Sequence, residues 1–127
     1  MTAALSFVSP PPGLDPLTDF ILDDVNGAAG LYALHAAKDP GIRLYVLDAA
    51  VYLPWYTPEI TDEQAAELDL GGPEDAMVLV VANASEAGTT TNLMAPIVVN
   101  STSGTCAQVI LEGQDWPIRA ELTARSA

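Results

Sequence analysis

Apolar residues in this chain come in short runs of β-branched and aromatic side chains, broken by glycine, proline or asparagine before a long helix could form. That punctuation predicts a mostly β, antiparallel domain. Asn26-Gly27, a favoured tight-turn pair, separates two apolar runs and predicts a hairpin over 20–36. "IRLYVLD" at 42–48 reads as another strand, and "AMVLVVA" at 76–82, apolar on both faces, suits a central strand covered on both sides. Near the end, Trp116, Ile118, Ala120 and Leu122 alternate with Arg119 and Glu121, giving one core face and one wet face. The exception is "TDEQAAELDL". There Thr61 can cap a first turn and Gln64, three residues on, can complete a capping box, which predicts one short helix near 61–68.

The segment "TNLMAPIVVN", residues 91–100, carries a contradiction. As one regular strand it would put Leu93, Ala95, Ile97 and Val99 on a wholly apolar face, with Asn92, Met94, Pro96, Val98 and Asn100 on the other. Pro96 has no N–H to donate, so the strand is expected at a sheet edge or with a bulge at that point. The flanking asparagines can bond loop backbone, fixing a turn, or can meet a partner.

At 127 residues the chain is long enough to bury a core and is read as a single domain over 1–127, ordered over about 7–122, with a mobile tail from Thr123. Half the residues are apolar, yet no run approaches the roughly 18 needed for a membrane span. The N-terminal stretch lacks the basic region of a signal peptide, so the chain is expected to be cytoplasmic and soluble. Seventeen Asp plus Glu against Lys38, Arg43, Arg119 and Arg125 give a formal net charge of -13. Without clustered Lys and Arg to replace phosphate counterions, direct nucleic-acid binding is excluded.

Catalytic signatures are sparse. One His and one Cys exclude most His-rich metal sites and zinc clusters, and leave His35 with Cys106 as the sole Cys-His pair. Cys106 lies among apolar residues and reads as a small buried side chain. Phosphate-cradling loops, a dinucleotide fingerprint and a nucleophile elbow are all missing. No metal or cofactor is expected. Adjacent carboxylates at 22–24 and 74–76 keep open an alternative, a small carboxylate-dependent enzyme or ligand-binding barrel using His35.

The region with most to offer a partner is 51–75. Tyr52, Trp55 and Tyr56 sit around two prolines, followed by Glu59, Asp62, Glu63, Glu67, Asp69, Glu74 and Asp75 with no Lys or Arg among them. Asp62 and Glu63 suit a helix N-terminus. The whole run can be a solvated face, or it can receive a basic protein.

The order of "PPGL", "DPGIRLYVLDA" followed by "YLPWY", then "TTTNLMAPIVVN" and "AQVIL" resembles the bacterial flagellar assembly factor FliW family from Phe7 to Leu122. Asn92, Leu93, Ala95, Pro96 and Asn100 form the most specific part, with Gln108 fitting a family glutamine. The sequence departs from the family at Leu34-His35-Ala36, where Leu-Gln-Ser is usual, at Asp48-Ala49, where Asp-Pro is usual, and at Trp55. The resemblance implies a single β-barrel-like domain without enzymatic activity, acting in flagellum assembly. It implies two protein partners, cytoplasmic flagellin and the translational regulator CsrA, whose repression of flagellin translation the family relieves allosterically. Such a protein is expected to be monomeric when free. The expected partner-binding residues are Glu59, Asp62, Glu63, Glu67 and Asp69 toward CsrA, with Tyr52, Tyr56, Asn92, Met94 and Asn100 as further contacts.

Overall fold

The computed structural model describes residues 2–8, 17–24, 30–39, 41–53, 56, 58, 60–72, 75–85, 88–111 and 120–121. Among these residues, nine strands and two short helices follow in chain order: β1 (Thr2–Phe7), β2 (Asp19–Asp24), β3 (Leu31–Ala36), β4 (Arg43–Asp48), α1 (Ala49–Tyr52), α2 (Asp62–Glu67), β5 (Ala76–Ser85), β6 (Gly88–Thr91), β7 (Ile97–Asn100), β8 (Thr105–Gln108) and β9 (Ala120–Glu121). The strands form one sheet in the order β4-β3-β2-β1-β8-β7-β5, and β4 also pairs with β5, which closes seven strands into a barrel. β6 and β9 extend from the far end of β5. The expected 20–36 hairpin is present as β2 against β3, with Leu22 opposite Leu34. Its Asn26-Gly27 turn lies outside the described residues, as do most of the 116–122 strand and the tail from Thr123.

The expected antiparallel, barrel-like sheet is present, with one parallel pairing. β1 runs parallel to β8, with Ser6 opposite Thr105 and Phe7 opposite Cys106. An odd number of strands cannot alternate direction all the way round a closed barrel, so one neighbouring pair must run parallel. Gly104 makes this contact feasible. Its φ of +81 suits glycine, and a Cβ there would stand 2.6 Å from the Ala4 carbonyl oxygen.

The interior is built by strict alternation. Leu5 and Phe7, Phe20 and Leu22, Leu34 and Ala36, and Ile97 and Val99 all join one buried cluster with Val46, Leu79 and Cys106. Phe7 and Phe20 meet edge to face, their centroids 5.2 Å apart. A second buried cluster lies outside the barrel wall, where Leu47, Val80 and Val98 are covered by Leu53, Tyr56, Leu68, Leu93, Val109 and Leu111. β5 is therefore packed on both faces, as its unbroken apolar run predicts: Leu79 points in and Val80 points out.

Pro96 sits in the bulge its chemistry demanded. Thr91 pairs with Ala82 and Ile97 pairs with Leu79, so the five residues 92–96 stand against only Val80 and Val81 on β5. The surplus is odd, which flips the alternation. Leu93 consequently joins the outer cluster and Ile97 and Val99 the inner one, instead of all three sharing a face.

Candidate partner-binding surface

The detour at 92–96 is fastened through its carbonyls, four of which in succession each find a donor. The Tyr56 hydroxyl donates to Leu93, the Leu111 N–H to Met94, Gln108 Nε2 to Ala95 and the Val109 N–H to Pro96. Asn92 Oδ1 accepts from the Met94 N–H at 3.0 Å. Tyr56 is buried, and burial pushes its hydroxyl pKa upward. Its phenol is thus a neutral donor at physiological pH.

Asn100 joins two loops. Its Nδ2 donates to the Leu68 and Asp69 carbonyls at 2.8 and 3.1 Å, and its Oδ1 accepts from the N–H groups of Thr102 and Ser103 at 2.9 and 3.3 Å. One buried amide thereby ties the end of α2 to the β7–β8 turn. α2 itself has only six residues, too short to stand alone. It starts on the expected capping box, with Gln64 N–H to Thr61 Oγ1 at 3.1 Å and Thr61 N–H to Gln64 Oε1 at 2.9 Å. It ends on a Schellman pattern, Leu70 N–H to the Ala65 carbonyl and Asp69 N–H to Ala66, with Asp69 in the left-handed region at φ 54.

α1 was not anticipated. The signal for it is Asp48, whose carboxylate caps the Ala50 N–H at 3.0 Å. Ala49 then occupies the first helical position, where the family's proline would also fit.

The expected contact residues divide by burial. Asp62, Glu63, Glu67 and Asp69 are exposed on α2 and just beyond it. Tyr52, Asn92 and Met94 are half-buried, whereas Tyr56 and Asn100 are buried with their polar groups bonded internally. Glu59 and Trp55 lie outside the described residues. The structure brings α2 and Asn100 together but keeps the tyrosines from forming an exposed aromatic patch.

Two clefts adjoin β5. One of about 600 Å³ lies between α1 and β5, lined by Asp48, Ala50, Leu53, Ala76 and Val78. The other, about 460 Å³, lies between α2 and β5, lined by Asp62, Ala65, Leu70, Ala76 and Val78. A third, about 590 Å³, opens at the barrel end near Leu22, Tyr32 and Met77, with no carboxylate or imidazole among its described lining residues.

The parts of the enzyme alternative are scattered. His35 alternates with the inward-facing Leu34 and Ala36, so it lies outside the barrel while Cys106 lies within. Burial pushes the Cys106 thiol up to about 12, the opposite of an activated thiolate. His35 Nδ1 stands 3.5 Å from Asp23 Oδ2 on the outer face and lines none of the three clefts. Among the described residues no three His, Cys, Asp or Glu converge as a metal site, and no helix is long and apolar enough to cross a membrane.

Fold and surface together define a small closed β-barrel, plated on one side by a second apolar layer and fringed with carboxylates. Comparison with known proteins makes this specific. The family model described as FliW protein matches residues 1–122, and the chain belongs to the FliW family. It is similar to the flagellar assembly factor FliW of Syntrophus aciditrophicus, 35% identical over 86 residues that span 66% of this chain and 54% of that protein. The Clostridium kluyveri protein of the same name is 32% identical, covering 87% of this chain and 78% of its own length. The Moorella thermoacetica one is 28% identical over 91% of this chain and 75% of its own. A crystal structure of a flagellar assembly factor FliW shares the fold, with a TM-score of 0.88 at 23% identity, over 98% of this chain and 88% of that one.

Proposed function

We propose that this protein is a flagellar assembly factor that acts by occupying other proteins in the cytoplasm. It binds the translational regulator CsrA, relieving its repression of flagellin translation, and it holds flagellin before export. The family match over residues 1–122 carries this reading. A partner switch follows from the two contacts: abundant unexported flagellin occupies the factor, and flagellin's departure frees it to take CsrA off its message. The effect on RNA binding needs only an unfavourable coupling between two sites on CsrA. About 1–3 kcal/mol of coupling would weaken RNA binding roughly 5- to 150-fold.

The charge pattern supports a basic partner. From Leu44 to Ile118 the sequence holds no Lys or Arg, while Asp62, Glu63, Glu67 and Asp69 stand exposed around α2. Opposite charge at such a rim speeds encounter at low salt. The test is a pull-down of flagellin and CsrA from the same genome with the wild type and with the double variant Glu63→Lys, Glu67→Lys. The wild type is expected to retain both partners, and the variant to lose CsrA association rate at low salt. Failure to retain either partner overturns the reading, and an unchanged rate removes α2 from it.

A further inference from the structure

Among the described residues, the second apolar layer covers β5 unevenly. On the outer face of β5, Val80 is fully buried beneath the layer, whereas Val78 and Ala76, next along the same face, pack against its edge and are only partly buried. Alternation in the sheet cannot hide them, since the inward positions are already taken by Met77 and Leu79 packed on the interior cluster. β4 leaves the sheet at Asp48 to form α1, and no described strand pairs with β5 beside Ala76–Val78 on that side. The α1 and α2 clefts both include Pro58, Ala76 and Val78 in their lining, so they form one groove crossing the outer face of β5.

The groove has an apolar floor, and the charged side chains at its rim among the described residues are carboxylates. Asp48 lines its α1 end and Asp62 its α2 end. Asp75 stands against it through the Gly71 N–H, 2.9 Å from Asp75 Oδ2. The two cations among the described residues, Lys38 and Arg43, belong to the β3–β4 hairpin and line neither cleft. The occupant such a slot selects has apolar side chains to complete the outer layer and Lys or Arg flanking them to meet the carboxylates.

We infer that the groove between α1 and α2 over Ala76 and Val78 is a docking slot for an amphipathic basic segment of a partner protein. It rests on the partner-binding reading above, and adds that the contact is made by an inserted apolar segment and not by surface charge alone. Ala65, half-buried on α2, is the gatekeeper: a large side chain there fills the α2 end of the slot without touching the barrel interior.

The experiment uses the whole protein labelled for amide NMR and titrated with a synthetic peptide of leucines and lysines, beside an all-lysine peptide of equal charge. The leucine-lysine peptide is expected to bind more tightly, roughly tenfold or more, with shifts centred on Ala65, Leu70, Ala76 and Val78. Equal binding of the two peptides, or shifts centred elsewhere, overturns the slot. Ala65→Trp, checked for folding by circular dichroism, should lower peptide affinity by a similar factor. The same variant is then taken to CsrA and flagellin. If the wild type binds either partner and Ala65→Trp binds it equally well, the slot is wrong while the flagellar reading stands. If the wild type binds neither and the peptide still maps to the groove, the slot stands and the flagellar reading falls.

Discussion

On β1, β2 and β3 the inward residues are buried and the outward ones, such as Ala4, Ser6 and Asp19, meet solvent, whereas β5 and β7, and β4 at Leu47, carry packed side chains on both faces. The single-layer wall is held by strand pairing and a uniform apolar interior. The double-layer wall depends on loops, two helices of six residues or fewer and a few directional hydrogen bonds from Asn100, Tyr56 and Gln108. A non-directional core tolerates rearrangement of its lining, but an outer layer whose irregular backbone is fastened bond by bond does not. The same irregularity leaves the groove unfilled, so the less regular wall is also the one with something to offer a partner.

Matched truncations test the contrast most directly. Leu34 in the interior and Leu68 in the outer layer are both fully buried. Leu34→Ala should cost about 4–5 kcal/mol, because strands on all sides prevent collapse into the cavity. Leu68→Ala should cost about 2–3 kcal/mol, since the end of a six-residue helix can settle inward. Urea unfolding measures both, and equal losses would mean that the outer layer is as rigid as the interior.

Asn100 comes next. Asn100→Ala strands two carbonyls and two N–H groups, and should cost about 2–3 kcal/mol after water reaches the more exposed of them. Asn100→Asp separates the two halves of its role. The carboxylate still accepts from Thr102 and Ser103 but has no donor for Leu68 and Asp69. Hydrogen exchange should therefore quicken around 65–70 in the aspartate variant while the 101–104 turn stays protected. Quickening throughout β1–β3 would show that the two walls are not separable.

Alkaline pH probes one group in each layer. The Cys106 thiol rises from 9.0 to about 12 in the folded protein, so the unfolded chain loses its proton first. Stability contributed by the neutral thiol is complete below pH 9 and is lost as pH rises from 9 toward 12. Tyr56, also raised by burial, adds a loss of the same sign starting near 10.0. Stability measured against pH should begin to fall near 9 in the wild type. Cys106→Ala should remove the early part of the fall, and Tyr56→Phe the part that begins later.

Most strands of the closed sheet were legible in the sequence because alternation and apolar runs are local signals: β2, β3, β4 and β5 all announce themselves by period or apolar run. The bulge was legible too, since Pro96 cannot donate. Its consequence was not. The number of extra residues decides which face Leu93 and Ile97 reach, and only the register against β5 supplies that number. β1 gives no clear local signal because "TAALSF" is short and rich in alanine, with its pairing to β8 set by closure. For the candidate surface, the acids could be read directly from the sequence, but the groove could not. Ala76 and Val78 look like any other residues of a buried strand, and only their partial burial at the edge of the clefts distinguishes them.

Asp69 offers the finest test, because there the outer wall departs from its own best sequence. At the C′ position of the α2 Schellman turn, φ is 54, a region that costs an ordinary residue about 1–2 kcal/mol and that glycine enters freely. Glycine also loses about 0.5–1 kcal/mol more chain entropy on folding, so Asp69→Gly should stabilise the protein by only about 0.5–1 kcal/mol. Asp69→Ala should destabilise it, since alanine lacks both glycine's freedom and the tolerance of aspartate for this conformation. Nothing in the Asn100 bond depends on the side chain at 69, because Nδ2 donates to the backbone carbonyl. The glycine variant therefore removes one carboxylate from the exposed rim while tightening the turn beneath it. Weaker CsrA association in a more stable protein would assign Asp69 to recognition, whereas unchanged association would confine the residue to closing the helix.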